Sequence, residues 1–181
     1  IEDMHCYVQP VPGQRRRERL RDVIDEAVGM AQESLSAAGR DPRRVSVEVG
    51  VETHIAPGVS RYHVVAAIAN VVKNAIESYA TGSKDFRKGK VAVSARTANT
   101  DQVEIVIADD GCGISPTDLE EIRQFIPGKT TKKNLGTGFG LPIAKRNILA
   151  HGGDLSIVSR EGEGTVITIV LPLEQDQGDE P

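Results

Sequence analysis

Apolar residues between Leu20 and about Ala38 recur at helical spacing. Leu20, Val23, Ile24, Ala27, Val28, Ala31 and Leu35 fall on one stripe, and Gly39 reads as the stop. Val45, Val47, Val49 and Val51 then alternate with mostly polar neighbours, the pattern of a strand. A second helical stripe, from Ser60 to Ala80, carries Val64, Ala67, Ile68, Val71, Val72, Ala75, Ile76 and Tyr79. After a polar loop at 81–90, two strand patterns follow at Val91–Thr97 and Val103–Asp109. Pro116 opens a short helix to about Phe125. A Gly/Thr/Lys-rich stretch runs to Gly140, and a further helix continues to His151, ended by Gly152-Gly153. Two last strand patterns, Leu155–Ser159 and Thr165–Leu171, are joined by the turn-rich Arg160–Gly164. Helices and strands segregate, and neighbouring strands are hairpin-linked. That predicts an α+β two-layer sandwich, a mixed sheet covered on one face by helices, rather than a doubly wound parallel sheet. Pro10, Pro12 and Gly13 mark residues 1–17 as a linker or the tail of a preceding element, and the acidic segment 174–181 reads as a disordered tail.

Composition narrows the function classes. Hydrophobic residues at 39% and charged residues at 27% are ordinary for a globular domain of 181 residues. A net charge of −4 supplies no field for nucleic-acid binding by counterion release; Arg15-Arg16-Arg17 reads as a solvated helix entry. Cys6 and Cys112 form neither a metal spacing nor a disulfide framework. No apolar run approaches the roughly 20 residues of a membrane span, so a cytoplasmic setting without direct membrane contact is expected. The chain begins at Ile1 and is read as a fragment of a longer protein.

Three groups of residues carry chemistry. Asn70, Asn74 and Glu77 share one helix face bordering an apolar stripe. That face is either an ordinary solvated one or a place for a hydrated Mg²⁺, which takes hard oxygen ligands and keeps several waters. Alternation puts Asp109 on the same sheet face as Val103, Ile105 and Ile107, followed by Gly111, Cys112 and Gly113. This is either a plain Asp-Gly turn or a pocket in which a carboxylate accepts from a ring amine and the glycines let the ring approach the backbone. Gly136-Thr137-Gly138-Phe139-Gly140-Leu141 opens a helix whose N-terminus suits phosphate. Gly128-Lys129-Thr130 is not a P-loop, since Arg123 stands where its first glycine belongs, and the glycine spacing at 136–140 is not a dinucleotide fingerprint. Thr165, before the last strand, shares a face with Ile167, Ile169 and Leu171, which aims its hydroxyl inward, but taken alone its segment reads as a simple hairpin turn.

In order and spacing these segments resemble the boxes of the ATPase superfamily of type II topoisomerases, mismatch-repair ATPases, heat-shock chaperones and histidine kinases. Asn70 to Ser78 resembles the N box, Asp109 to Ile114 the first glycine box, Phe125 to Lys132 the F box and Gly136 to Leu141 the second glycine box. His151-Gly152-Gly153 and the strands after it are similar to the ending of a sensor histidine kinase catalytic domain. The Thr130-Thr131-Lys132 run and the 6–20 segment look like the nitrogen-regulation type, with residues 1–17 as the exit of its dimerisation helix. The resemblance covers 18–173 and implies a Bergerat-type fold binding Mg-ATP. By resemblance, Asn74 ligates Mg²⁺ with Asn70 beside it, and Asp109 accepts from the adenine amine. Gly111, Gly113, Ile114 and Thr165 complete that wall, and Lys132 and Lys133 in a lid at 126–138 reach the phosphates. Gly136, Thr137, Gly138, Gly140 and Leu141 give the lid its hinge and the helix its start. Hydrolytic members have Glu at the position of Asn70; an amide takes no proton from water at neutral pH. The implied activity is therefore transfer of the γ-phosphate to a histidine on a dimerisation domain, for relay to a response regulator. A serine-directed kinase or a regulatory nucleotide-binding domain is the alternative. Glu77 stands where some relatives carry Lys or Arg, and is expected either to orient the acceptor or to act as a base. His5, His54, His63 and His151 lie in no acceptor motif.

Overall fold

A computed structural model of the chain describes residues 15–79, 89–128 and 138–173. In chain order the elements are β1 (Arg16–Arg17), α1 (Leu20–Ala37), a 3₁₀ turn (Pro42–Arg44), β2 (Val45–Val51), β3 (Gly58–Val59), α2 (Arg61–Glu77), β4 (Gly89–Asn99), β5 (Gln102–Asp109), α3 (Pro116–Ile122), α4 (Gly140–Leu149), β6 (Asp154–Arg160) and β7 (Gly164–Pro172). Five strands form one mixed sheet in the order β2-β4-β5-β7-β6. Only β2 and β4 run parallel; β4–β5, β5–β7 and β6–β7 are antiparallel. This is the α+β two-layer architecture that the segregated pattern predicts.

Registry explains where the core lies and where it stops. Val49, Val93, Ile107, Ile167 and Ile157 are paired in one row across all five strands, on the face that turns toward the helices. Leu20, Ile24 and Leu35 of α1, with Val64, Ile68 and Val72 of α2, are fully buried against that face. Each such side chain removed from water is worth about 1.5–3 kcal/mol. Because side chains alternate along a strand, the next inward row lies two residues along. It reads Val47, Val91, Asp109, Thr165 and Ser159. The apolar face therefore becomes polar at one end, on β5, β7 and β6.

Two elements escape a periodicity argument, since two-residue strands have no period to read. β1 pairs with β3, and Glu18 and Leu20 donate backbone N–H groups to Pro57 and Ile55. The domain's own hydrogen bonding thus reaches back to Arg16, inside the segment read as linker; residues 1–14 and 174–181 lie outside the described residues. Among the described residues no helix is long and apolar enough to cross a membrane.

His151 ties α4 to the start of α2. Its Nε2 accepts from the Ser60 backbone N–H at 3.0 Å, and its Nδ1–H donates to Asn147 O at 2.6 Å. Both bonds require the neutral ring with its proton on Nδ1. Burial holds this imidazole below the usual histidine range. The unfolded chain therefore takes up the proton first, near pH ~6.5, and the contribution of neutral His151 is complete above that pH and lost as pH falls below it. The urea midpoint is expected to drop between pH 7 and pH 5, with a shallower pH slope in His151→Gln. Equal slopes in the two proteins contradict this assignment.

Candidate functional site

The polar end of the sheet face is built from short contacts. Asp109, half-buried at the end of β5, accepts at Oδ1 from the Ser78 hydroxyl at 2.9 Å and from the Gly111 N–H at 3.0 Å. Thr165, its registry partner on β7, lies with Oγ1 2.8 Å from Ser159 Oγ, which donates to Gly164 O. The loop after β5 is pinned from both sides. The Cys112 N–H donates to Ser78 O at 3.3 Å, and Cys112 O accepts from the Gly162 N–H at 2.8 Å.

The glycines of this loop are required by close packing. A Cβ on Gly111 would meet Ser78 Oγ at 1.9 Å, and one on Gly113 would meet Arg160 O at 1.9 Å. The space on that side of each glycine is filled by the protein's own groups, so the loop can close on α2 and β6 only without a side chain at these positions. A Cβ on Gly164 would likewise meet Asp109 O, at 2.0 Å. Ile114 packs partly buried on the core beside this wall.

Behind the wall, Tyr79 clamps the exit of α2 to the strands. Its hydroxyl accepts from the Lys90 and Asp110 backbone N–H groups at 3.1 and 3.0 Å and donates to the Asp110 carboxylate. Burial, then the adjoining Asp110 carboxylate, pushes the Tyr79 phenol up, and the Tyr79 hydrogen bond holds Asp110 below the usual carboxylate range. Asp110 is thereby committed to structure, leaving Asp109 as the acidic side chain on the inward row.

The third wall is helical. Asn70 and Asn74 are half-buried on α2, and neither side chain makes a hydrogen bond to another described residue. Gly140, the first residue of α4, lies with its missing Cβ 3.4 Å from Asn70 Oδ1. The start of α4, which has no side-chain cap, therefore abuts the amide face of α2. Uncapped N–H groups and the positive end of the helix dipole favour an anion there. Leu141 anchors this helix start by packing on the core. Gly138 O accepts from the Gly128 N–H at 3.2 Å, which joins the two ends of the segment expected to form the lid. Lys132, Lys133, Gly136 and Thr137 lie outside the described residues.

Glu77 is a departure with a structural consequence. Its carboxylate is 5% exposed and accepts from Arg40 Nη1 at 2.7 Å. Arg40 follows the stop of α1, and nothing in a local pattern connects it with a residue 37 positions away. Ser78, Arg40 and Tyr79 were all missed as site-builders by sequence reasoning. Only Ser78 had a usable signal, since it ends the N-box segment itself.

A carboxylate acceptor at the end of an apolar face, the Ser78 and Thr165 hydroxyls on that wall, and an uncapped helix start facing the Asn70 amide together suit a nucleotide. The amide oxygens of Asn70 and Asn74 fit the hard-oxygen preference of Mg²⁺. Among the described residues no group of three His, Cys, Asp or Glu is placed to cage a metal, so a Mg²⁺ here would need phosphate oxygens and water to complete its shell.

The model of the histidine kinase-, DNA gyrase B- and HSP90-like ATPase family matches residues 59–175. The chain is 44% identical over 93 residues to the sensor histidine kinase ZraS of Salmonella typhimurium, covering 51% of this chain and 19% of that protein. It is 34% identical over 167 residues to the histidine protein kinase DivJ of Caulobacter vibrioides, covering 87% of this chain and 26% of that protein. The chain thus spans about a quarter or less of these relatives. Among solved structures, it superposes on the mycobacterial sensor histidine kinase MprB with a TM-score of 0.70 at 26% identity, over 87% of this chain and 97% of that one. The catalytic domain of the histidine kinase ThkA gives 0.69 at 25%, over 88% and 95%.

Proposed function

The chain belongs to the histidine kinase-, DNA gyrase B- and HSP90-like ATPase family, as a catalytic ATPase domain of the histidine kinase kind, and we propose that it transfers the γ-phosphate of Mg-ATP to a histidine on a separate dimerisation domain. The observation that carries this reading is the placing of the Asn70 amide, rather than a carboxylate, against the start of α4. An amide does not deprotonate water, so nucleotide held there is kept for a protein acceptor instead of being hydrolysed.

The residues divide the work. Asp109 accepts from the adenine amine, with Thr165 beside it, and the start of α4 at Gly140 receives phosphate. Asn74 and Asn70 would hold Mg²⁺, which supplies charge neutralisation on the phosphates. Lys132 and Lys133 are assigned to the terminal phosphates. Phosphoryl transfer relies mostly on such positioning and charge stabilisation. Glu77 enters this reading with Arg40 attached. An orienting or base role would be exerted by the pair, since the buried carboxylate already has a cationic partner. The Thr130-Thr131-Lys132 run supports the nitrogen-regulation type, and a response regulator in the cytoplasm is the expected recipient of the relayed phosphate.

Incubating the chain with labelled Mg-ATP and the dimerisation domain of its parent protein tests the proposal. Acid-labile, alkali-stable label on that domain is expected, absent when its histidine is replaced. Label that is acid-stable identifies a serine-directed kinase instead, and a folded chain that binds nucleotide without transferring label contradicts the transferase reading.

A further inference from the structure

Ser78 closes α2 and is 6% exposed. Its Oγ lies 2.7 Å from Ala75 O and 2.9 Å from Asp109 Oδ1. A hydroxyl has one proton for these two acceptors, and a carboxylate outcompetes an amide carbonyl for it because the charge-assisted bond is the stronger. The same Oδ1 also receives the Gly111 N–H. A terminal carboxylate torsion is otherwise broad, and two donors converging on one oxygen fix its plane. Gly111 belongs to the same device, since any Cβ there would displace the Ser78 hydroxyl.

We propose that Ser78 is a positioning residue for base recognition, holding the Asp109 carboxylate in the orientation that distinguishes an amine-bearing purine from one without the amine. This rests on the reading of Asp109 as acceptor for the adenine amine. The placement has a second consequence. Asn74 and Ser78 are one helical turn apart, about 6 Å along the axis, so one rigid helix carries both the phosphate-end amides and the group that sets the base-end carboxylate. The backbone bond from Cys112 N–H to Ser78 O fastens the glycine loop to the same helix end. Base and phosphate subsites are thereby held at a distance set by α2 rather than by loops.

The test compares affinities for ATP and for purine riboside triphosphate, which lacks the exocyclic amine, in the wild-type chain, Ser78→Ala and Asp109→Asn. Wild type is expected to prefer ATP by about tenfold or more, the scale of a hydrogen bond to a charged group. Asp109→Asn removes the preference. Ser78→Ala is expected to reduce it by roughly threefold to tenfold while changing affinity for the amine-less nucleotide by less than about twofold. A role confined to stability would weaken both nucleotides alike. If Ser78→Ala is not folded, Ser78→Cys, which keeps a weaker donor on the same carbon, serves the same comparison. Should Asp109→Asn remove the preference while Ser78→Ala leaves it intact or weakens both nucleotides equally, Ser78 has no such role and the Asp109 reading stands. Should Asp109→Asn leave the preference unchanged, the Asp109 reading falls and this proposal with it.

Discussion

Asp109→Asn is expected to weaken ATP binding by about 100-fold while moving the thermal midpoint by only a few degrees, because the change reverses one polar atom and leaves the rest of the wall intact. The Asn carbonyl oxygen can still accept from the Ser78 hydroxyl and the Gly111 N–H. The amide nitrogen then stands where Oδ2 was, and presents a donor to the donor on adenine. Two donors facing each other in a desolvated site leave both without an acceptor, which is costlier than the loss of a single bond. Isothermal titration with an ATP analogue, paired with a thermal melt, separates this from loss of fold. Parallel losses in affinity and midpoint would place Asp109 among structural residues.

Gly113→Ala is expected to cost about 3 kcal/mol or more in chemical denaturation, since it combines left-handed backbone strain with a backbone clash. Gly113 has φ +63°, and the place of a Cβ is 1.9 Å from Arg160 O. That carbonyl ends β6, and the turn after it is held to the glycine loop by the bond from Gly162 N–H to Cys112 O. Neither partner can withdraw without breaking this seam, so nucleotide affinity should fall together with stability. Gly50→Ala provides the control. Nothing lies within 4 Å of a Cβ at that position, and its effect should stay within about 0.5 kcal/mol. Similar costs at both sites would mean that backbone entropy, not the clash, dominates.

How far the chain could be read in advance depended on the range of the signal. Alternation in Val45–Val51 and in the strand around Ile105 and Ile107 is local, so each strand was legible, as were the stripes of α1 and α2. Alternation also put Asp109 on the inward face, and registry adds that Thr165 and Ser159 share its row. What stayed hidden needed tertiary information. The pairing of β1 with β3 involves two residues on each side. The Arg40–Glu77 pair joins residues 37 apart with no common periodicity. The glycines at 111 and 113 were legible as necessary, but not as spaces filled by Ser78 and Arg160. The second lysine-bearing half of the F box and Gly136-Thr137 lie outside the described residues, and their roles remain proposals drawn from resemblance.

We propose that this chain holds a magnesium nucleotide between the amides of α2 and the Asp109 wall. Calorimetric titration of a non-hydrolysable ATP analogue into the wild-type chain and Asn74→Ala, each with and without Mg²⁺, tests it most directly. Saturable one-to-one binding that tightens with Mg²⁺ is expected in the wild type, and binding indifferent to Mg²⁺ in Asn74→Ala. A folded wild-type chain that takes up no nucleotide with Mg²⁺ present would contradict it.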